Sequence, residues 1–157
     1  MQVHELMTHD VVCLYPDDTV RTAAEYMAAY NIGCLPVIND DRRVVGVLTD
    51  RDIVLRCIHL NKPYTVEIDN IMTTQVFMLK PTDEVATAAH IMGNHQIRRI
   101  PVVDEVERLI GIIALGDIST HEMSDAKAGR ALSDISMPES YQDSNPYYGV
   151  NVDDFRL

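Results

Sequence analysis

Six histidines and three cysteines are the residues of this chain whose chemistry suits a metal ion or a nucleophilic reaction. Cys57-x-His59 is not combined with a second pair of ligands at the spacing that a four-ligand zinc site requires. Cys13 or Cys34 would need a positioned base and a third orienting group to act as a nucleophile, and no local signature supplies either. No glycine-rich phosphate loop occurs in the sequence. We therefore expect neither a metal site nor catalysis, and we interpret the histidines as surface residues.

Two short polar motifs suit anion binding. Arg98 and Arg99 are adjacent and come just before an apolar run. Guanidinium groups match phosphate oxygens in pairs, although a solvated pair that balances local acids is the alternative. Thr49-x-x-Asp52 has the spacing of a capping box, with Asp in place of Glu or Gln, and so indicates the start of a helix. The unpaired N–H groups of a helix start also favour an anion, which leaves a structural and a ligand-binding interpretation open.

The overall composition limits the class of protein and of partner. Apolar residues make up 46% of the chain and charged residues 24%, which is normal for a globular protein. The formal charge of -11 repels polyanions, and no run of Lys and Arg offsets it. The sequence shows no signal peptide and no membrane-spanning apolar stretch, and its odd number of cysteines suits a reducing compartment. We expect a cytoplasmic protein with neither nucleic acid nor a membrane as partner.

The chain contains an internal repeat at an offset of 65 residues. Pro36 matches Pro101, Gly46 matches Gly111, and 18 of 48 aligned pairs are identical without a gap. A fixed period of this kind indicates two copies of one supersecondary unit, which should be identified before any other feature.

Each copy shows the same order of predicted elements: a strand, a helix, a hairpin of two strands and a closing helix. β-branched runs predict the strands, and apolar residues at i, i+3, i+4 and i+7 predict the first helix, with this apolar face buried in the core. The predicted strands are Val11–Leu14, Leu35–Ile38 and Val44–Leu48 in the first copy and Val76–Leu79, Ile100–Val103 and Leu109–Ile113 in the second; the helical stripes are Val20, Ala23, Ala24, Met27 and Val85, Ala88, Ala89, Met92. The closing helices are expected to begin near Thr49 and Gly116.

The predicted fold class is α/β (α+β), with two tandem βαββα repeats packed with pseudo-twofold symmetry. Neither half has enough apolar faces to be stable alone, so the two copies should pack on each other. We assign residues 1–60 to the first repeat, 61–122 to the second, and 123–157 to a C-terminal helix and a flexible tail. The amphipathic pattern predicts that helix over residues 124–135.

The two copies resemble a known family. Gly46–Asp52, following Leu35–Val37, and Ile97–Val103 are similar to the paired cystathionine-β-synthase-type (CBS) repeat, or Bateman module. The resemblance covers Val3 to about His121. Residues 114–118 with 127–129 further resemble the small stand-alone bacterial proteins of this type. The resemblance implies adenosine-containing ligands in clefts between the repeats, disc-like homodimers, and a regulatory role without catalysis.

Each implied cleft pairs the ribose-binding Asp of one copy with the base-binding wall of the other. In the first cleft, this carry-over assigns Asp52 and Thr49 to the ribose and Arg98 and Arg99 to phosphate, with Arg51 as a further candidate. The apolar wall for adenine would be Val76, Phe77, Ile97 and Pro101.

The second implied cleft departs from this pattern. Asp117 is kept, but Ala114 stands in place of Thr49, and the positions of Arg98 and Arg99 are occupied by Gly33 and Cys34. This cleft should hold a ribose but hardly a phosphate, so it is expected to be empty or to bind an uncharged adenosyl group or S-adenosylmethionine. Its predicted apolar wall comprises Thr8, Val11, Val12, Ile32 and Pro36.

These patterns predict a non-catalytic sensor of adenine nucleotides that acts on an unidentified protein partner in trans. AMP is the leading ligand, with ADP, ATP and S-adenosylmethionine as alternatives. A homodimer is expected, because twofold pairing would cover the apolar faces of the repeat helices. The alternative hypothesis is a dimerisation or interaction protein with vestigial clefts.

Overall fold

Two matching sets of helices and strands make up the computed structural model, which describes residues 1–120, 129, 130, 132 and 135. The first copy forms helix α1 (Val20–Tyr30), strands β1 (Cys34–Ile38) and β2 (Val44–Thr49), and helix α2 (Asp50–Ile53), which continues as a π-helix over Val54–Ile58. The second copy forms α3 (Val85–His95), β3 (Arg99–Val103), β4 (Leu109–Ala114) and α4 (Leu115–Ser119). A short 3-10 helix precedes each copy, Val3–Glu5 before the first and Ile68–Asn70 before the second.

The two hairpins form as the sequence predicts. β1 pairs with β2 and β3 with β4, each antiparallel, and both pairs carry one irregularity at the same repeat position, between Val37 and Ile38 and between Val102 and Val103. The predicted strand boundaries are confirmed to within one residue. The closing helices also begin where predicted, at Asp50 and Leu115.

The predicted leading strands, Val11–Leu14 and Val76–Leu79, do not form as regular strands, so this prediction is wrong. Only their last residues pair, as single parallel bridges from Leu14 to Val37 and from Leu79 to Val102. Pro36 and Pro101 precede the partner residues Val37 and Val102 and explain the interruption. Proline has no N–H group, so it cannot donate the next hydrogen bond to the leading segment. The backbone leaves the ladder at the same place in both copies.

The two copies exchange their leading segments. Thr8 pairs with Ile112 of β4, and its equivalent Thr73 pairs with Val47 of β2. The backbone N–H groups of Val85 and Val20 likewise donate to Met1 and Val66, respectively. Since each of these contacts has an equivalent 65 residues along the chain, the copies are related by a pseudo-twofold axis. The two turns of the hairpins meet on this axis, where Arg43 pairs with Arg108.

The core consists of two buried clusters, one for each hairpin and its helices. Each includes residues from the exchanged segment, namely Val3 and Met7 in one cluster and Ile68 and Ile71 in the other. The helical stripe predicted in α3 is buried throughout. In α1 the prediction is wrong for Ala24, which is exposed and borders a groove of about 690 Å³ between α1 and α2.

Four residues of the predicted C-terminal helix are described, and Gly129, Arg130, Leu132 and Ile135 are helical. The rest of that helix and the flexible tail predicted over 136–157 lie outside the described residues. Within the described part of the chain, no helix is long and apolar enough to cross a membrane.

Candidate functional site

A capping box at the start of α2 fixes the position of Asp52. The backbone N–H and the hydroxyl of Thr49 both donate to Asp52 Oδ2, at 2.9 and 2.8 Å. The Asp52 N–H in turn donates to Thr49 Oγ1 at 3.1 Å. The structural interpretation of this motif is therefore confirmed, and it holds the carboxylate in one orientation.

The second oxygen of Asp52 is less constrained. Asp52 Oδ1 lies 3.7 Å from Arg56 Nε, and the Asp52 side chain keeps 14% of its surface exposed. Arg56 also donates to the carbonyl of Ile71 and to Thr73 Oγ1, at 3.0 and 3.2 Å. This arginine ties α2 to the exchanged segment of the second copy and stabilises the negative charge of Asp52.

The first cleft is a cavity of about 360 Å³ between the two copies. It brings together every residue that the resemblance assigns to it. Those residues are Thr49, Arg51 and Asp52 from the end of β2 and from α2, and Val76, Phe77, Ile97, Arg98, Arg99 and Pro101 from the second copy. Such a volume lies within the range of small-molecule sites, roughly 300 to 1,000 Å³.

The first cleft combines charged groups with apolar side chains. Arg51, Arg98 and Arg99 are exposed, and within residues 1–120 none of the three forms an ion pair with a carboxylate. The cleft is also bordered by Phe77, whose ring stacks on His95 with centroids 3.8 Å apart. The cleft can therefore offer an aromatic and aliphatic wall to a flat group and unpaired guanidinium groups to an anion.

The second cleft has a volume of about 320 Å³ and is bordered by Asp117. Its wall contains Thr8, Val11, Val12, Ile32 and Pro36, as the resemblance implies. Asp117 Oδ2 accepts a hydrogen bond from the Ala114 N–H at 2.7 Å, but Ala114 has no hydroxyl to complete the arrangement seen at Thr49. The carboxylate is thus presented as in the first cleft, with fewer polar neighbours.

The residues of both clefts follow the pattern of a family. Residues 3–58 and 68–123 each match the CBS domain. This chain belongs to the CBS domain family. The matched ranges together span most of the chain and coincide with its two structural copies.

Two bacterial relatives resemble the CBS pair over most of their length. An uncharacterised protein of Bacillus subtilis, YlbB, is 40% identical over 136 residues, which cover 86% of this chain and 91% of YlbB. The CBS domain-containing protein YhcV of the same organism is 37% identical, with 85% of this chain and 94% of YhcV covered.

Among solved structures, the CBS domain pair of protein MJ0100 superposes with a TM-score of 0.70 at 27% identity. The match covers 76% of this chain and 94% of the MJ0100 chain. That structure is a complex with 5′-methylthioadenosine and S-adenosyl-L-methionine. The CBS pair is therefore similar to its relatives in backbone fold as well as in sequence.

The structure places in the clefts several residues that the sequence reasoning did not select. The first cleft is also bordered by Gly33, Cys34, Val47, Asp50, Thr73, Gln75 and Gln96, and the second by Asp10, Tyr30, Cys34, Arg99, Ile112 and Ala114. Cys34 and Arg99 border both clefts. The sequence comparison places no guanidinium in the second cleft, whereas the structure brings Arg99 to its border, because the two clefts are adjacent. Gapless alignment compares equivalent positions and cannot reveal a residue that two sites share.

The thiols of the CBS pair are poorly suited to nucleophilic chemistry. Burial raises the pKa of Cys34 to about 11, an effect that Arg99 opposes and that Asp52 and Asp50 reinforce. Burial also raises the pKa of Cys13. The thiolate is the reactive form, so both groups are largely unreactive near neutral pH. In the described part of the chain, no three His, Cys, Asp or Glu residues are grouped as a metal site would require.

Proposed function

We propose that this protein is a non-catalytic regulatory module that binds an adenine nucleotide, AMP foremost, in the first cleft. The observation that carries the proposal is the convergence there of Asp52, held by its capping box, with three unpaired guanidinium groups and an apolar wall. These groups suit the ribose, the phosphate and the base of one nucleotide, respectively.

The ribose would bind at Asp52. A carboxylate can accept hydrogen bonds from both ribose hydroxyls, and the capping box engages Oδ2 while leaving lone pairs on Oδ1. Structural and ligand-binding roles of Asp52 are therefore compatible. Arg56, whose Nε lies 3.7 Å from Oδ1, is the nearest cationic group to that oxygen.

The adenine would lie against Val76, Phe77, Ile97 and Pro101. Pro101 cannot donate a ladder bond to the Phe77 carbonyl, so the extended backbone at Val76 and Phe77 can present its polar groups to the edge of a base. The Phe77–His95 stack holds the Phe77 ring from outside the cleft. This combination of apolar faces and a few backbone groups is typical of sites for planar ligands.

For the second cleft, we propose an adenosine derivative with little or no negative charge. Asp117 supplies the ribose contact, whereas the hydroxyl of Thr49 and the guanidinium groups of Arg98 and Arg51 have no equivalent. The presence of 5′-methylthioadenosine and S-adenosyl-L-methionine together in the MJ0100 complex supports two ligands of this class in one CBS pair.

Regulation would be exerted on a separate protein. Ligand binding between the two copies changes the free energy of their packing, and this change can be passed to a partner through the helices that border the clefts. The raised pKa values of Cys34 and Cys13 argue against the alternative of a thiol-dependent enzyme. A module that only dimerises is the other candidate, favoured by the exposed apolar residues of the π-helix over Val54–Ile58 and of the turn that follows it.

Thermal unfolding and calorimetry with AMP, ADP, ATP and S-adenosylmethionine test the proposal. A ligand at 100 times its dissociation constant should stabilise the fold by about 2.7 kcal/mol. Asp52→Asn keeps the shape of the cap and should remove most AMP affinity, since each charge-assisted hydrogen bond contributes roughly 1.5 to 3 kcal/mol. Asp117→Asn is the matched control and should leave AMP binding intact. If no adenosine-containing ligand shifts the transition, the dimerisation hypothesis is favoured.

A further inference from the structure

Arg99 lies at the boundary between the two clefts and contributes to the wall of each. Arg98 and Arg51 border the first cleft and do not border the second. A wider cavity of about 880 Å³, bordered by Asp50, Arg98, Arg99 and Asp117, places residues of both clefts around the same space. The charge of Arg99 also acts on Cys34, which borders both clefts, so this guanidinium is a charge that the two clefts have in common.

The charges in the two walls differ in sign. Three guanidinium groups and two carboxylates, Asp50 and Asp52, border the first cleft. One guanidinium, that of Arg99, and two carboxylates, Asp10 and Asp117, border the second. The first cleft thus favours an anion. The carboxylates of the second cleft outnumber its guanidinium, so that wall is negative even with Arg99 included.

We propose that Arg99 couples the two clefts, so that a phosphate bound in the first makes the second selective for a cationic adenosine derivative. This inference rests on the proposed function, which supplies the adenine nucleotide of the first cleft. Beyond that function, it states that one cleft regulates the other and that the ligand of the second cleft is cationic.

The coupling follows from the chemistry of a single guanidinium. Arginine binds a phosphate through paired N–H donors, and such a contact neutralises its charge and fixes its orientation. With Arg99 engaged by phosphate, Asp10 and Asp117 are the charged groups left in the second wall. These carboxylates then attract a ligand with a positive centre, such as the sulfonium of S-adenosylmethionine, and no guanidinium opposes them. They repel a second phosphate.

Thermodynamic linkage makes the effect reciprocal. If AMP tightens the binding of S-adenosylmethionine by a given factor, S-adenosylmethionine tightens AMP by the same factor. We expect a factor of about ten, within the usual range of roughly 5 to 150 for coupled sites. The protein would then respond to the joint presence of a phosphorylated and a cationic adenosine compound.

Isothermal calorimetry of the full chain provides the test. S-adenosylmethionine is titrated into the free protein and into protein saturated with AMP, and the binding event that Asp117→Asn removes is assigned to the second cleft. Its dissociation constant should be about tenfold lower with AMP present. Uncharged 5′-methylthioadenosine should show little change, and adenosine in place of AMP should give no enhancement, since it leaves Arg99 unengaged.

Two arginine variants separate the shared residue from its neighbour. Arg99→Ala should bind S-adenosylmethionine as tightly without AMP as the parent does with AMP, and AMP should no longer alter that affinity. Arg98→Ala is the matched control, because Arg98 borders the first cleft and not the second. It should weaken AMP yet keep the tenfold enhancement once AMP is saturating.

The outcomes distinguish this inference from the proposed function. AMP binding with an unchanged affinity for S-adenosylmethionine overturns the coupling and leaves the proposed function in place. An enhancement that persists in Arg99→Ala, or that is equal for 5′-methylthioadenosine, also overturns it, as does failure of S-adenosylmethionine to bind a second cleft. Failure of every adenosine compound to bind overturns both.

Discussion

At the residue scale, the capping box that holds Asp52 is compatible with the ribose-binding role that we propose for this residue. Its carboxylate accepts two hydrogen bonds from Thr49 through one oxygen, while the other oxygen faces Arg56 at 3.7 Å. A binding residue fixed by a helix cap does not have to be ordered again by its ligand, which lowers the entropic cost of binding. Asp117 repeats the backbone part of this arrangement at Ala114.

The raised pKa of Cys34 leads to a prediction about its reactivity. With a pKa of about 11 in place of the ordinary value of 9.0, Cys34 should hold about a hundredfold less thiolate near neutral pH than a free cysteine. Its alkylation by iodoacetamide should be correspondingly slow and should rise about tenfold per pH unit until the pKa is approached. Peptide mass spectrometry measures this rate separately from those of Cys13 and Cys57. Alkylation at neutral pH as fast as that of free cysteine would contradict the burial of this thiol and reopen the thiol-enzyme hypothesis.

At the element scale, the exchanged segments explain why both β2 and β4 carry a glycine at the same position. A Cβ atom on Gly111 would lie 2.6 Å from Met7 Sδ and 3.1 Å from the Thr8 carbonyl. The equivalent distances at Gly46, to Met72 and Thr73, are 2.5 and 3.1 Å. The strand must therefore remain without a side chain where the other copy's segment crosses it.

Gly111→Ala should destabilise the protein by roughly 1 to 3 kcal/mol, the usual range for overpacking in a core. The Met7 side chain can move aside, but the backbone carbonyl of Thr8 cannot. Gly116→Ala is the matched control, because among the described residues outside its own helix and chain neighbours no atom lies within 4 Å of the added carbon, and alanine is the better helix former in α4. Urea unfolding should show a lower midpoint for the first variant and an unchanged or higher one for the second. Equal midpoints would mean that the segment does not pack here.

At the scale of the whole molecule, the helices leave apolar surface that the described chain does not cover. Val54 and Ile58 in the π-helix are 51% and 63% exposed, and Leu55 and Leu60 are also exposed. Ile58 also borders the groove between α1 and α2 that Ala24 borders. A second copy of the chain paired by a twofold axis would cover this surface, so the homodimer stays a prediction with a defined location.

Ile58→Lys should therefore shift a dimer toward monomer, because it would place a charge in an apolar contact between copies. Val106→Lys is the matched control, since Val106 is also exposed but lies in the turn between β3 and β4. Multi-angle light scattering at tens of micromolar should report a dimer for the parent and the control and a smaller species for Ile58→Lys. A monomeric parent, or equal masses for all three proteins, would contradict this location.

The sequence by itself determined the two hairpins, the starts of the closing helices and part of the lining of each cleft. The repeat at an offset of 65 residues predicted both hairpins to within one residue and the start of both closing helices. The resemblance to the paired CBS repeat selected residues that meet around Asp52 and around Asp117. Periodicity and turn chemistry act over a few residues, and a repeat transfers what one copy shows to the other, so these features can be read without coordinates.

Only the tertiary structure decided how the copies meet. The exchange of Met7 and Met72 between the two cores, the exposure of Ala24 and the stacking of Phe77 on His95 depend on contacts between residues far apart in the chain. The shared position of Arg99 is of the same kind. An alignment of the two copies gives each residue one equivalent residue. In the folded protein, a residue near the pseudo-twofold axis can border both clefts. Distance from that axis is a property of the folded chain, and no local pattern records it.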